Sequence, residues 1–459
     1  EISMKVVLLL CVVIGLALSQ SDPNPLILTN YLNDPATGKS KSEVTGINWD
    51  YPSYAGYFTT QESTGNNLFF WFFPAQNNNS DAPLIMWLNG GPGATSMYGL
   101  FAENGPFSVN ENLELVARNT TWNQQFHMVF VDNPAGTGWS FTQSTAGYAT
   151  NQQDVATNLY SFLTQFFTIY PEYVDNDFYV SAESYGGKYG PSISYEIVEQ
   201  NKNGKNTKIN FKGLSVGDGL MDPITQVQGF ADAWYYLGLL DANERQEGLV
   251  YESKIRDYIL QGDYTAAFLV FDQYLNGDFW SYGTFYNNKT ALTNYYNFDT
   301  PDYPPNPYPQ YMNQSYVRDA IHVGAGTFWD YNITVDQMLQ GDWMKSVRDV
   351  IPTLVNDYKV MIYNGQYDII LPGPQCEDFL RTLVWNGQDE YLRSQKSIWT
   401  VGDSGTDNDI AGYIRQVQGL TQIIVRQAGH LLPQDQPERA LDMITNWILD
   451  QPFKGRPAN

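Results

Sequence analysis

The chain has 459 residues, 43% of them hydrophobic, enough to bury a sizeable core as one large domain with insertions or as two domains. Lys and Arg number 25 against 49 Asp and Glu, a formal net charge of −24 (25 − 49). Such a surface repels nucleic acid and anionic membranes, so neither is an expected partner, and it suits an acidic compartment where many of these carboxylates protonate.

At the N-terminus, Met4-Lys5 and the apolar run Val6–Ala17 lead into the small residues of Ala17-Leu18-Ser19. This is the pattern of a secretory signal peptide over 1–19, with Glu1-Ile2-Ser3 as translated leader and the mature chain starting near Gln20. No other stretch reaches the roughly 20 apolar residues of a membrane span, so the expected location is the secretory pathway, in a lysosome or vacuole or outside the cell. Asn78, Asn119, Asn288, Asn313 and Asn332 begin Asn-x-Ser/Thr tripeptides and are glycosylation candidates on that route. Cys11 belongs to the signal segment, which leaves Cys376 as the one thiol of the mature chain, expected to be a small buried hydrophobe.

Trp49–Thr60 and Asn67–Pro74 read as strands joined by the turn Glu62–Asn66, an antiparallel edge hairpin. Pro83–Leu88 is a third strand running into Asn89-Gly90-Gly91-Pro92-Gly93-Ala94, where the glycines leave backbone amides exposed. Met128–Asp132 is a buried strand preceded by His127, and Asp154–Phe167 a helix.

The aromatic and β-branched run Phe178–Val180 then breaks into Ala182-Glu183-Ser184-Tyr185-Gly186-Gly187, and Pro191–Glu199 has a helical pattern. A strand, a tight turn with small residues two either side of a serine, and a helix make the nucleophile elbow of α/β-hydrolases, with Ala182 in place of the leading glycine. Ile209–Val216 is a strand ending at Gly217-Asp218-Gly219.

From Asp222 to about Met344 the pattern turns helical, in Phe230–Leu240, Glu244–Gln261 and Ala266–Leu275, with a proline-rich bend at Thr300–Pro309. Arg348–Tyr358 and Lys359–Tyr363 resume with helix and strand, Ser397–Val401 and Thr421–Arg426 are the last strands, and Ala440–Leu449 is a closing helix. The expected architecture is α/β: an α/β-hydrolase fold, a mainly parallel sheet with helices on both faces and an inserted, mainly helical cap. The core would take 20–221 and 345–459, and the cap 222–344.

A serine hydroxyl needs a base beside it, and the chain has three histidines. His127 opens a core strand before the serine and His322 falls in the insert. His430 follows the last strand, where the order Ser…Asp…His requires it. Between them Asp368 is the one carboxylate on the turn Asn364-Gly365-Gln366-Tyr367-Asp368. The expected triad is therefore Ser184, Asp368 and His430.

Together Trp87-Leu88-Asn89-Gly90-Gly91-Pro92-Gly93, Glu183-Ser184-Tyr185-Gly186-Gly187-Lys188-Tyr189, Asn364–Asp368 and Gly429-His430 resemble the serine carboxypeptidases, over nearly the whole mature chain. Lys188, Asp132–Gly138 and Pro433–Pro437 resemble the vitellogenic-like branch most closely. The resemblance implies that Ser184 is the nucleophile, His430 the base and later the acid, and Asp368 the group that fixes the imidazole's tautomer. It also implies an oxyanion hole from the Gly91 and Tyr185 amides, and a site for the substrate's C-terminal carboxylate formed by Trp87, Asn89, Gly90, Glu103 and Glu183. Two acids placed together retain a proton between them that can be donated to that carboxylate, so cleavage is expected to favour acid pH. The expected substrates are peptide and protein C-termini, cut through an acyl-enzyme with no cofactor and no metal.

Ala94 and Leu371 stand where many family members have cysteine, which bears on the cap's geometry and leaves the triad untouched. Acyl transfer or ester hydrolysis on the same triad is the alternative chemistry, and a non-catalytic binding role the third reading. Side-chain preference, and whether the chain forms a homodimer, stay open.

Overall fold

The structure, a computed structural model, describes residues 24–457 apart from 205, 403–405 and 407–408. The expected signal segment, with Cys11, lies outside the described residues. Thirteen strands are present among them: β1 Tyr54–Gln61, β2 Asn66–Phe73, β3 Leu84–Leu88, β4 Phe107–Val109, β5 Leu115–Ala117, β6 His127–Val131, β7 Phe178–Glu183, β8 Phe211–Gly217, β9 Lys359–Gly365, β10 Ser397–Thr400, β11 Ile410–Val417, β12 Leu420–Val425 and β13 Gly455–Pro457.

Eleven of them form one sheet in the order β1-β2-β6-β3-β7-β8-β9-β12-β11-β10-β13, while β4 and β5 make a separate hairpin. The six central strands from β6 to β12 run parallel, and both flanks turn antiparallel. This is the α/β-hydrolase architecture expected from the sequence. Parallel strands buried on both sides need apolar residues at every position, and β3 (LIMWL) and β6 (HMVFV) are buried throughout.

The sheet divides two cores by the two-residue period of its strands. In β2, Phe70 and Phe72 join a core shared with the helices Gln152–Ile169 and Gly186–Asn203, while Phe69, Trp71 and Phe73 join one shared with Trp447 of the helix Pro437–Ile448. Each such side chain contributes about 1.5–3 kcal/mol by leaving water, so the layers are held mainly by this burial.

Several boundaries differ from the sequence reading. The helix after the serine begins at Gly186, five residues before the expected Pro191, because its first turn is glycine-rich and resembles a loop; Pro191 lies inside it. The strand β11 carries Gly412 and Arg415 in mid-run and is joined to β12 by the unremarkable pair Gln418-Gly419, so neither alternation nor turn chemistry announced it. Between β8 and β9 the described residues form helices without a strand of the large sheet, the longest being Ala242–Gln261. A capping box at Asp241 and Glu244 starts that helix and left-handed Gly262 ends it.

Candidate active site

The parallel register aligns the C-terminal ends of the central strands. Leu88 pairs with Ala182, Glu183 with Gly217, Gly217 with Tyr363 and Gly365 with Val425. The next residues of each strand therefore emerge on one edge: Asn89–Ala94, Ser184, Asp218, Asp368 and His430. Binding at the carboxyl ends of parallel strands is the general rule for open α/β sheets.

Ser184 sits in the left-handed region at φ +62°, a strained conformation for a residue with a side chain. It is held there by its own N–H donating to the Gly217 carbonyl (3.0 Å) and its carbonyl accepting from Gly187 and Leu220 (2.8 and 3.0 Å). The tight turn needs its small neighbours. A Cβ on Gly186 would lie 3.1 Å from that of Ala182, and one on Gly187 would lie 2.6 Å from the Leu220 nitrogen. Gly90 is equally constrained, since a Cβ there would meet the Tyr185 nitrogen at 2.5 Å. The glycine loop thus lies directly against the serine turn, and neither the Gly91 nor the Tyr185 N–H donates to a backbone carbonyl. Buried Asp132 anchors the far side of this loop, accepting from Thr95 Oγ1 (2.6 Å), the Ser96 N–H (3.0 Å) and the Trp139 N–H (2.8 Å).

His430 Nδ1 and Asp368 Oδ2 are 2.9 Å apart, both buried. The other carboxylate oxygen of Asp368 accepts from the Ile370 and Leu371 amides (2.9 and 3.1 Å). His430 Nε2 is buried without a hydrogen-bond partner, so it is not bonded to Ser184, although both side chains line the same cavity. Nucleophile–base contacts of this kind tighten when substrate binds. His127 and His322 stay apart from the cavity: His127 accepts from the Ala75 N–H, and His322 Nε2 lies 3.1 Å from the Glu43 carbonyl.

The side chains of Trp87, Asn89, Glu103 and Glu183 form one buried cluster. Asn89 Oδ1 accepts from Trp87 Nε1 (2.7 Å) and the Gly99 N–H (3.0 Å), while its Nδ2 donates to Glu103 Oε1 (2.8 Å) and Glu183 Oε2 (3.2 Å). Both glutamates are 1% exposed, and the remaining oxygen of each has no N–H or O–H donor. Burial, the largest cause, raises both carboxyls, and the charge of Glu103 lifts Glu183 well above the usual carboxylate range. Two neighbouring acids raised in this way favour holding a proton at acid pH.

Ser184, His430, Asn89, Gly90, Gly91 and Glu183 line a cavity of about 550 Å3. Its other walls include Phe271, Tyr295, Tyr296, Tyr303, Tyr331 and Trp343 from the helical insert. Two neighbours of the site had no sequence signal. Tyr296 stacks on the His430 ring (centroids 5.1 Å apart, 23° between planes) and its carbonyl accepts the His430 N–H (2.7 Å). Asp218 comes within 4.8 Å of both Asp368 and His430, counted between their polar atoms. Each contact joins segments far apart in the chain.

Beneath the site, the Lys188 ammonium pairs with Asp342 (2.6 Å), which also accepts from the Tyr185 hydroxyl (2.7 Å) and Gln152 Nε2 (2.7 Å). Burial pushes the Lys188 ammonium down to about 8. Among the sequons, Asn78, Asn119, Asn288 and Asn313 are exposed. Asn332 differs from them: it is 5% exposed, caps the helix Ile333–Trp343, and its Nδ2 donates to the Gly136 carbonyl (2.8 Å). Cys376 is buried and free, as expected. No helix among the described residues is long and apolar enough to cross a membrane.

The family model described as serine carboxypeptidase matches residues 45–450. The probable serine carboxypeptidase CPVL of Dictyostelium discoideum is 40% identical over 448 residues, covering 93% of this chain and 88% of that protein. The venom serine carboxypeptidase of Apis mellifera is 42% identical over 439 residues, covering 94% and 92%. Among solved structures, Kex1(Δ)p, a prohormone-processing carboxypeptidase of Saccharomyces cerevisiae, superposes with a TM-score of 0.76 at 23% identity, covering 90% of this chain and 96% of that one, a likeness of fold.

Proposed function

The chain belongs to the serine carboxypeptidase family, and from that membership we propose that it releases single C-terminal residues from peptides through an acyl-enzyme on Ser184. The observation that carries this reading is the cluster of Asn89, Glu103 and Glu183, of which Asn89 and Glu183 line the cavity that holds Ser184 and His430. A buried acid pair that holds one proton, beside Asn89, can redirect that proton and an Asn89 N–H to a terminal carboxylate, and has nothing comparable to offer an internal peptide bond.

The Ser184 hydroxyl attacks the scissile carbonyl and gives its proton to His430 Nε2, while Asp368 holds the ring by Nδ1. The tetrahedral oxyanion accepts from the Gly91 and Tyr185 amides, each such donor contributing about 3–4 kcal/mol. The C–N bond then breaks, His430 returns the proton to the departing amine, and the free amino acid leaves. Water, deprotonated by His430, next attacks the ester; the shortened peptide departs as an acid and Ser184 regains its proton. As pH rises the glutamate pair loses its proton, so peptide cleavage falls. The exposed sequons at Asn78, Asn119, Asn288 and Asn313, the acidic surface and the venom relative support a secretory or lysosomal setting.

The test is amino-acid release from an N-blocked dipeptide at about pH 5, where the pair holds its proton, beside the C-terminal amide and a Ser184→Ala control. Release from the acid, much slower release from the amide and none from the variant is the expected result. Equal cleavage of acid and amide would refute the carboxylate site, and cleavage of neither would move the assignment to acyl transfer or binding.

A further inference from the structure

We infer that Asp218 is a positioning residue for the triad: its carboxyl holds a proton and donates it to the Asp368 carboxylate, so the group behind His430 is an acid pair with one negative charge. The inference rests on the reading of Ser184, Asp368 and His430 given above.

The geometry begins with the strand. Asp218 is the first residue after β8, held at φ +43° by its N–H donating to the Tyr363 carbonyl (2.8 Å), and it is fully buried. That conformation is uncommon for a residue with a side chain and turns the carboxyl towards the end of β9. Its Oδ1 accepts from the Gly365 N–H (2.8 Å); its Oδ2 is buried and no donor reaches it. Asp368 is provided for differently, with two amides on Oδ1 and the His430 ring on Oδ2. Three N–H donors favour a carboxylate at Asp368, whereas the donor-poor oxygen of Asp218 favours a hydroxyl. A proton on Asp218 converts that orphaned acceptor into a donor, and the Asp368 carboxylate lies within 4.8 Å to receive it.

The surroundings agree. The titratable groups facing Asp218 are Asp368 and His430 on the loops after β9 and β12, Glu183 at the end of β7, Tyr363 on β9, and Cys376 on the helix Gly373–Thr382. None of these is Lys or Arg. Burial first, and then the charge of Asp368, drives the Asp218 carboxyl well above the usual carboxylate range, against the Gly365 amide and the Asn364 side chain. A fourth donor on Asp368 fixes the carboxylate plane against the His430 ring, which keeps Nε2 aimed at the serine.

The experiment compares infrared spectra at about pH 7 of the full enzyme and Asp218→Asn, and steady-state kinetics of Asp218→Asn and Asp218→Ala on an N-blocked amino-acid ester, whose binding does not use the glutamate pair. The expected difference spectrum shows the loss of one protonated-carboxyl C=O band. Asp218→Ala is expected to lower kcat about tenfold or more with KM little changed, and Asp218→Asn, whose amide can donate in the hydroxyl's place, to recover most of that loss. Loss of an ionised-carboxylate band instead, or full kcat in Asp218→Ala, would overturn the inference. Should the alanine variant not fold, the asparagine spectrum alone decides. Failure of the acyl-enzyme reading shows separately, as ester turnover that survives Ser184→Ala.

Discussion

Replacing Glu103 by Gln separates the role of the acid pair's proton from that of its shape. Glu103 Oε1 accepts from Asn89 at 2.8 Å, and its Oε2 is the buried oxygen without an N–H or O–H donor. Gln keeps the acceptor and puts a permanent N–H where the shared proton stood. A hydrogen bond to a charged group is worth about 1.5–3 kcal/mol, so deprotonation of the pair in the native enzyme weakens free-acid substrates by about 10- to 150-fold, a loss that the permanent N–H of the variant avoids. Both glutamates are raised by burial, so the proton is present at acid pH and lost as pH rises through the pair's elevated range. In the native enzyme kcat/KM for an N-blocked dipeptide should then fall by about tenfold per pH unit on the alkaline side, one proton being lost. Glu103→Gln has no such proton to lose, and its alkaline limb should flatten towards that of the C-terminal amide, measured in parallel. If variant and native profiles fall together, the pair does not supply the donor, and the account of acid-favoured cleavage fails.

Lys188→Met leaves Asp342 buried with its charge uncompensated, and urea unfolding should show a loss of about 3–5 kcal/mol; a loss below about 1 kcal/mol would mean that the ion pair contributes little. Asn332→Gln removes the cap of Ile333–Trp343 and the bond to Gly136, lowering stability by about 1 kcal/mol in thermal melts while glycan mass stays unchanged, in contrast to a substitution at any exposed sequon that carries a glycan. Stability itself should depend on pH. Burial raises Asp132 to about 7, Asp330 to about 6 and Asp336 to about 7. The folded chain thus holds protons that the unfolded chain has released. Their contribution is complete below about pH 4 and disappears as pH rises towards about 7, so the urea midpoint should be higher at about pH 5 than at about pH 7.5. The reverse order would show that other groups govern the balance.

What the sequence determined by itself is the local chemistry. Serine between small residues at a strand–helix turn, a glycine run after a strand, and an aspartate and a histidine in the right order after later strands each depend on neighbours within a few positions, because turns and strand ends are short-range structures. The family, the fold and the two ends of the His430–Asp368 bond were legible in this way. Only the tertiary structure decided what faces what. Helix start at Gly186 depended on docking against β3 and β8 rather than on propensity, and β11 was formed by its partners β10 and β12 in spite of a glycine and an arginine within it. Asn332 reads as a surface sequon until the helix it caps is packed against Gly136. Tyr296 over His430 and Asp218 beside Asp368 arise from segments that meet only when the register of five parallel strands brings their ends to one edge. That register is set by burial summed over the whole sheet, a long-range quantity that no short stretch of sequence carries.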